Sequence, residues 1–265
     1  MTTDDRAPLI KWAGGKRRLL AEIRPFSPDT FGRYFEPFLG SGALFFSLLP
    51  DAARLSDANH ELIEMYVAVR DNVEGVIESL RRLRNTEEDY YRVRASVPRT
   101  PASKAARLIY LCTLSFNGIY RQNLKGEFNV PYGYKTHLKH YDSTRLREVS
   151  DLLQGKEILY EDFEQAVHGA RPGDFIYFDP PYTVAHGNNG FVKYNAKIFS
   201  WNDQQRLAET ALRLRHLGCR VLVSNADHPS IRELYPEFDV HVIERFSVMS
   251  ASSEFRRPVK ECLFY

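Results

Sequence analysis

Asp179-Pro180-Pro181-Tyr182 gathers a carboxylate, rigid main-chain carbonyls and an aromatic face within four residues. The run before it, Phe175-Ile176-Tyr177-Phe178, has the length and the β-branched or aromatic content of a buried strand, and two prolines cannot continue one. Proline supplies no N–H, so the Asp179 and Pro180 carbonyls are expected to leave the strand end without a ladder partner. A ligand bearing an amino group matches that arrangement. The carboxylate and a carbonyl each accept one N–H while Tyr182 offers a flat surface, and the exocyclic amine of a nucleobase has the required shape. A strand followed by a turn whose aspartate caps a helix would use the same residue types, so the remaining chain must decide between them.

The other residues with chemical reach precede this run. Lys11-Trp12-Ala13-Gly14-Gly15-Lys16 sets an aromatic plane and two ammonium groups around a flexible glycine pair that can approach a ligand closely. Tyr34-Phe35-Glu36-Pro37-Phe38 reads as a short strand, Leu39-Gly40-Ser41-Gly42 as a turn and residues 43–49 as an apolar helix. Such a unit presents the backbone N–H groups of a helix start to a nucleotide. The third glycine of the dinucleotide fingerprint is missing, its place taken by Phe45, which disfavours a pyrophosphate. A second strand, Ala53-Arg54-Leu55-Ser56, ends on Asp57, 17 positions after Gly40. A carboxylate there is placed to accept hydrogen bonds from the ribose hydroxyls of an adenosine-containing ligand. It could equally cap the following helix, in which Leu62, Ile63, Tyr66 and Val69 recur at core spacing.

These elements define a scaffold of residues 1–72 and 154–265, interrupted at 73–153. Residues 73–116 read as helical without an intervening parallel strand. Between Gly75 and Ser150 there are 14 lysines and arginines against 7 acids, a local +7 in a chain whose formal net charge is +2. A positive insertion in a mildly acidic scaffold suits a polyanion, although a solvated helical surface would carry the same charge. From Phe116 to Gly133 the turn signals Asn117-Gly118 and Lys125-Gly126 indicate a hairpin or extended loop. Arg121, Asn117, Gln122 and Asn129 are side chains that read base edges, and Phe116, Ile119 and Tyr120 could stack on or wedge into an opened duplex. Downstream, Ser143 is expected to cap a helix to Leu153, and Lys156 to Tyr160 reads as a strand. Residues 183–199 read as a mobile loop beside the chemical end. Ser200 caps a helix with Leu207, Ala211 and Leu214 on one face, closed by Gly218. Three further strands follow, and the polar, basic run 250–257 between the last two suits phosphate contact.

Composition bounds the class. The 265 residues include 43% hydrophobic and 26% charged side chains, an ordinary globular balance with enough length for a full core. No apolar run is long enough to span a bilayer, and Met1-Thr2-Thr3-Asp4-Asp5 lacks the basic and apolar parts of a signal peptide, so no membrane association and a cytoplasmic location are expected. Cys112, Cys219 and Cys262 are odd in number and far apart, which supports neither a disulfide framework nor a metal cluster.

Four separated pieces then agree in order: Lys11 to Lys16, Phe35 to Gly42, Asn117 to Gly133, and Asp179 to Tyr182. Together they resemble the Dam-type adenine-N6 DNA methyltransferases, the D12 class with alpha motif order, over essentially the whole chain. The resemblance implies an α/β fold, a Rossmann-like methyltransferase sheet, mostly parallel with an antiparallel C-terminal strand, plus an inserted helical and β-hairpin DNA-recognition domain. It implies S-adenosylmethionine as cofactor and S-adenosylhomocysteine as product, with no metal. Trp12, Lys16, Glu36, Phe38, Gly40, Gly42, Asp57, Asp162, Phe163 and Asp179 are then cofactor contacts, Phe163 lying against the adenine. The target adenine, flipped from double-stranded DNA, sits on Tyr182 and donates to Asp179 and the Pro180 carbonyl, with Pro181 completing the catalytic run.

For reading the site, the resemblance implies Lys11 and Arg121 on guanines, Asn117 and Phe116 near the vacated base, and Ile119 and Pro131 against a thymine methyl. Lys125 and Asn129 complete the DNA contacts. Agreement across Asn117 to Gly133 suggests GATC or a related GAT-containing site, whereas Tyr134-Lys135-Thr136-His137 departs from the family pattern and leaves the last base or bases open. A monomer is expected, and a cognate restriction endonuclease is an open partner. Three rival readings stand beside this one: cytosine-N4 methylation, which presents the same amine geometry; a DNA-binding module that has lost its cofactor; and a dinucleotide oxidoreductase, opposed by Phe45.

Overall fold

The computed structural model describes residues 8–123, 126–183, 199–246 and 258–265. Its strands are β1 (Tyr34–Glu36), β2 (Ala53–Asp57), β3 (Glu157–Tyr160), β4 (Phe175–Phe178), β5 (Arg220–Ala226), β6 (Val240–Phe246) and β7 (Pro258–Phe264). They form one seven-stranded sheet in the order β3-β2-β1-β4-β5-β7-β6. β1 runs parallel to β2 and β4, β4 parallel to β5, and β7 antiparallel to both β5 and β6. The mostly parallel sheet with an antiparallel C-terminal pair is Rossmann-like. Phe175 to Phe178 are buried at every position, the continuous apolar run of a strand covered on both faces. The order reverses between β1 and β4: the chain builds outward through β2 to β3, then returns to β4. Ligands of open α/β sheets bind outside the carboxyl ends of the strands at such a reversal.

The chain forms two compact units. The first comprises Met1–Leu20, Leu39–Leu49 and Ser56–Glu161, and the second Ala21–Phe38, Pro50–Leu55 and Asp162–Tyr265.

In the first unit, α2 (Ala43–Leu48) is followed by α3 (His60–Asp71), α4 (Val73–Arg81), α5 (Glu87–Ala95), α6 (Pro101–Leu114) and α7 (Ser143–Leu153). The apolar faces of α3, α4 and α6 meet, burying Leu62, Tyr66, Val69, Ile77, Leu80, Ile109 and Tyr110. Asn59, not Asp57, caps α3, taking the Leu62 N–H at 3.0 Å. Asp142 rather than the expected Ser143 caps α7, its carboxylate accepting from the Thr144 and Arg145 N–H groups, so Ser143 becomes the first helical residue. The segment after α6 folds back as a hairpin held by isolated antiparallel bridges, Ser115 to Tyr132 and Gln122 to Phe128, with no strand ladder among the described residues. Tyrosine hydroxyls fasten it to α5 and to the connection before it: Tyr90 donates to the Val130 carbonyl at 3.0 Å and Tyr132 to Asn85 Oδ1 at 2.6 Å.

In the second unit, α8 (Phe163–Ala166), α9 (Trp201–His216) and α10 (Pro229–Arg232) accompany the strands, after a short α1 (Leu20–Ile23) that spans the two units' boundary in sequence. Phe35, Ile176, Phe178, Leu207, Ala211, Leu214, Val223 and Phe264 belong to one buried core. Ser200 caps α9 in a reciprocal box with Asp203, and Gly218 ends it at φ 93°. The three cysteines are free and buried, and burial pushes the Cys219 thiol up to about 11.

Candidate active site

The glycine turn of the first unit is clamped from both sides. Gly40 adopts φ 48°, a left-handed conformation suited to glycine, and its N–H donates to Asp57 Oδ2 at 3.0 Å. Its carbonyl accepts from the Tyr66 hydroxyl at 3.2 Å. A Cβ at position 40 would stand 3.2 Å from Trp12 Cδ1, so the indole edge lies directly against the turn. The other Asp57 oxygen takes the Asn59 N–H at 2.8 Å. Asp57 therefore fixes the glycine turn and is not the helix cap, which separates the two roles open to it in the sequence. Burial pushes its carboxyl up from 3.8 to about 6, opposed in part by those two hydrogen bonds. Gly42, at φ 67°, precedes α2, and Phe45 is fully buried where a dinucleotide site would need glycine. Lys16 is buried, with Nζ donating to the Gly14 carbonyl at 3.1 Å.

Trp12 stacks on Tyr120 with ring centroids 4.4 Å apart and planes 21° apart, and the Tyr120 hydroxyl donates to Glu61 Oε2 at 2.7 Å. Tyr120 is thus buried inside the unit, which removes it from the rings available to wedge into a duplex. Phe116 is the exposed ring of that segment, at 54%. Asn117 is exposed beside it at φ 56°, Arg121 and Pro131 are exposed, and Ile119 and Asn129 are half-buried. Arg121 Nε donates to Asn129 Oδ1 at 2.8 Å, so two of the expected base-reading side chains are joined. Gln122 instead turns inward to Glu61 at 3.3 Å. Lys11 is exposed, its Cδ 3.1 Å from where a Cβ on Gly118 would stand, and Lys135 donates to the Thr113 carbonyl at 2.8 Å. Burial, then the neighbouring Lys11 charge, lowers the Lys135 ammonium. Lys125, residues 184–198 of the expected 183–199 loop and the basic run at 250–257 lie outside the described residues.

In the second unit, β1 and β4 are neighbours with Phe35 opposite Ile176, which brings the strand ends at Glu36 and Asp179 to the same edge at the reversal. Glu36 is buried and accepts from the Tyr34 hydroxyl at 2.9 Å. Pro180 is buried, while Asp179, Pro181 and Tyr182 are half-buried. The Tyr182 hydroxyl donates to Glu261 Oε2 at 2.7 Å. Burial, then Glu261 and Asp179, push the Tyr182 phenol well up, and burial followed by Asp179 does the same to Tyr177. Both phenols therefore stay protonated at neutral pH, and the Tyr182 hydroxyl is the donor to Glu261. Phe163 is 4% exposed, its ring 5.6 Å from Phe38 in a stack and 5.8 Å from Phe199, with the Arg206 guanidinium 4.9 Å over it. Phe38 is the half-buried ring of that pair. Asp162 caps α8 and pairs with Arg206 at 3.0 Å.

Sequence reasoning missed Tyr66, Glu61 and Glu261. In the sequence Tyr66 reads only as a core residue of α3, and no pattern marks Glu61. Glu261 carried a usable signal, being a lone carboxylate inside the apolar strand that ends the chain.

A family model described as D12 class N6 adenine-specific DNA methyltransferase matches residues 12–249. The chain is 39% identical to the Type II methyltransferase M1.LlaDCHI of Lactococcus lactis subsp. cremoris, across 97% of this chain and 94% of that protein. It is 32% identical to the Type II methyltransferase M.MjaIII of Methanocaldococcus jannaschii, across 94% and 95%, and 31% identical to the DNA adenine methylase of Escherichia coli K12, across 96% and 93%. The chain belongs to the D12 class of N6 adenine-specific DNA methyltransferases. It is an adenine-specific enzyme acting on DNA, which sets aside the cytosine, non-enzymatic and oxidoreductase readings. Among the described residues no helix is long and apolar enough to cross a membrane, and no group of three His, Cys, Asp or Glu is placed to hold a metal ion.

Proposed function

We propose that the enzyme takes its methyl group from S-adenosylmethionine and places it on adenine N6 within GATC, or a related GAT-containing duplex site, after flipping the base. The observation that carries this reading is Asp179-Pro180-Pro181-Tyr182 at the carboxyl end of buried β4, beside the end of β1, at the sheet reversal. The Asp179 carboxylate and the Pro180 carbonyl accept the two N–H groups of the adenine amine. Those bonds draw the N6 lone pair out of conjugation with the ring, and the carboxylate offsets the positive charge that grows on nitrogen and accepts the N–H proton that the methylated amine then sheds. Tyr182 supports the base face, and rigid proline carbonyls need no reorganisation during the step.

When bound, S-adenosylmethionine supplies an electrophilic sulfonium methyl and leaves as S-adenosylhomocysteine. The first unit suits its nucleoside. The glycine turn is held open by Asp57 and Tyr66, Asp57 retains acceptor capacity for hydroxyls, and Trp12 walls the turn, while the buried Phe45 leaves no pyrophosphate cradle. Lys16 and Gly42 belong to the same set. Glu36, Phe38, Asp162 and Phe163 complete the proposed cofactor contacts, with Phe38 as the ring that retains exposure.

Residues 73–153 are read as the target-recognition domain, with Lys11, Phe116, Asn117, Ile119, Arg121, Lys125, Asn129 and Pro131 as its DNA contacts. The enzyme works as a monomer on duplex DNA. M1.LlaDCHI and M.MjaIII are named Type II methyltransferases, which favours a restriction endonuclease reading the same site as partner. The test is single-molecule sequencing of DNA from cells expressing the chain, with labelled S-adenosylmethionine transfer in vitro. N6-methyladenine at one GAT-containing site, lost in Asp179→Ala, is expected; transfer that survives Asp179→Ala overturns the reading.

A further inference from the structure

The residues on either side of Tyr182 are gripped by side chains to which the methyl-transfer reading gives no part. Gln204 is fully buried on α9, and its Nε2 donates to the Pro181 carbonyl at 3.3 Å and the Thr183 hydroxyl at 3.0 Å. Its Oε1 accepts from Asn225 Nδ2 on β5 at 2.9 Å. Asn225 is also fully buried, and its Oδ1 takes the Ala226 N–H at 2.8 Å. A chain of amides thus runs from β5 through α9 to the residues on either side of Tyr182. From the other direction, Glu261 on β7 receives the Tyr182 hydroxyl, and Glu261 is only 1% exposed. Glu261 lies opposite Ala226, and Cys262 opposite Asn225, so both grips arise from one strand pair.

The geometry points to Gln204, Asn225 and Glu261 as positioning residues that fix the main chain and the ring axis of Tyr182 before DNA arrives. The inference rests on the reading of Tyr182 as the surface that receives the flipped base. A tyrosine side chain on a free strand end can swing between staggered χ1 rotamers. Here the hydroxyl is tied to a buried carboxylate, while the Pro181 carbonyl and the Thr183 side chain on either side are tied to a buried amide pair, so the ring meets the base already pointed toward it and at a reduced ordering cost. The grips also account for tyrosine rather than phenylalanine at this position, since a buried carboxylate needs a donor.

The test uses the full-length enzyme and a duplex carrying the methylated site, with 2-aminopurine replacing the target adenine in one arm. Base opening is read from 2-aminopurine fluorescence with S-adenosylhomocysteine present, methyl transfer from single-turnover rates on the adenine duplex, and folding from melting temperature. Tyr182→Phe and Glu261→Ala should each lower the opening signal and slow transfer about tenfold to 100-fold, with cofactor affinity unchanged. Glu261→Gln, which keeps an acceptor, should recover to within about threefold of wild type, and the Tyr182→Phe/Glu261→Ala double variant should be no slower than the worse single one. Gln204→Ala should slow transfer by a similar factor while remaining folded. Wild-type rates in Tyr182→Phe, multiplying losses in the double variant, or a wild-type rate in folded Gln204→Ala would overturn the inference. Tyr182→Ala with undiminished opening and transfer would instead overturn the reading of Tyr182 beneath it.

Discussion

Asp57 offers the sharpest test of how the cofactor half works, because one carboxylate holds the glycine turn and is proposed to hold a ligand. Its oxygens accept from Gly40 and Asn59 at 3.0 and 2.8 Å, and burial moves the carboxyl from 3.8 to about 6. The folded pKa lies above the unfolded one, so the stability contributed by this group is fully present below about pH 4 and is lost as pH rises through about 6. The rise corresponds to at most about 3 kcal/mol, an upper bound for a half-buried side chain. At neutral pH the protein carries that penalty, and in return it presents a charged acceptor beside the turn.

Cofactor binding should run in the opposite direction. If ribose hydroxyls donate to the carboxylate, binding favours the ionised form, and affinity for S-adenosylmethionine should weaken as pH falls through about 6. Asp57→Asn keeps the shape but leaves one oxygen for two backbone N–H groups. Losing the charge-assisted bonds costs about 1.5–3 kcal/mol, roughly tenfold to 100-fold in Kd. Titration calorimetry from pH 5 to 7.5 should show a pH-dependent affinity in the wild type and a weaker, flat one in Asp57→Asn. Thermal melts should lose the fall in stability between pH 4 and 6 in the variant. Wild-type affinity in Asp57→Asn, or the same pH profile in both proteins, would refute the assignment of Asp57 to the cofactor.

Three further outcomes are expected. Gly40→Ala forces a side chain into φ 48° and sets a Cβ 3.2 Å from Trp12, so it should cost about 1–2 kcal/mol in denaturant titration and weaken cofactor binding together. Asp174→Ala orphans the Arg33 and Arg171 N–H groups, which its buried carboxylate accepts at 2.8 and 2.9 Å, and should lower unfolding stability by roughly 2–4 kcal/mol while kcat per folded molecule is kept. Arg121→Ala removes a guanidinium that Asn129 orients; kcat/KM for the cognate duplex over one with its guanine replaced should fall about tenfold to 100-fold, with cofactor Kd unchanged.

What the sequence disclosed and what it withheld differ in the distance to the partner. The continuous run of β4, the Gly40 turn before α2, and the Ser200 and Gly218 brackets of α9 were legible because each depends on residues within a few positions of itself. Asp57 was half legible: its spacing from Gly40 suggested a ligand role, but cap and turn-holder look alike until Asn59 is seen to take the capping bond. Tyr120 misled, since an aromatic residue in a polar hairpin looks available, whereas its fate is set by Trp12 and by Glu61, 59 positions away. Tyr182 and Glu261 lie 79 positions apart, beyond any periodicity. Even so, one half of that pair was open to argument. A glutamate within an apolar strand is either exposed at an edge or buried, and burial without a donor costs several kcal/mol. The order β5-β7-β6 places β7 inside the sheet, so Glu261 must find a donor there. The sequence poses that demand, and only the pairing of β7 with β5 identifies the strand end, and hence the tyrosine, that meets it.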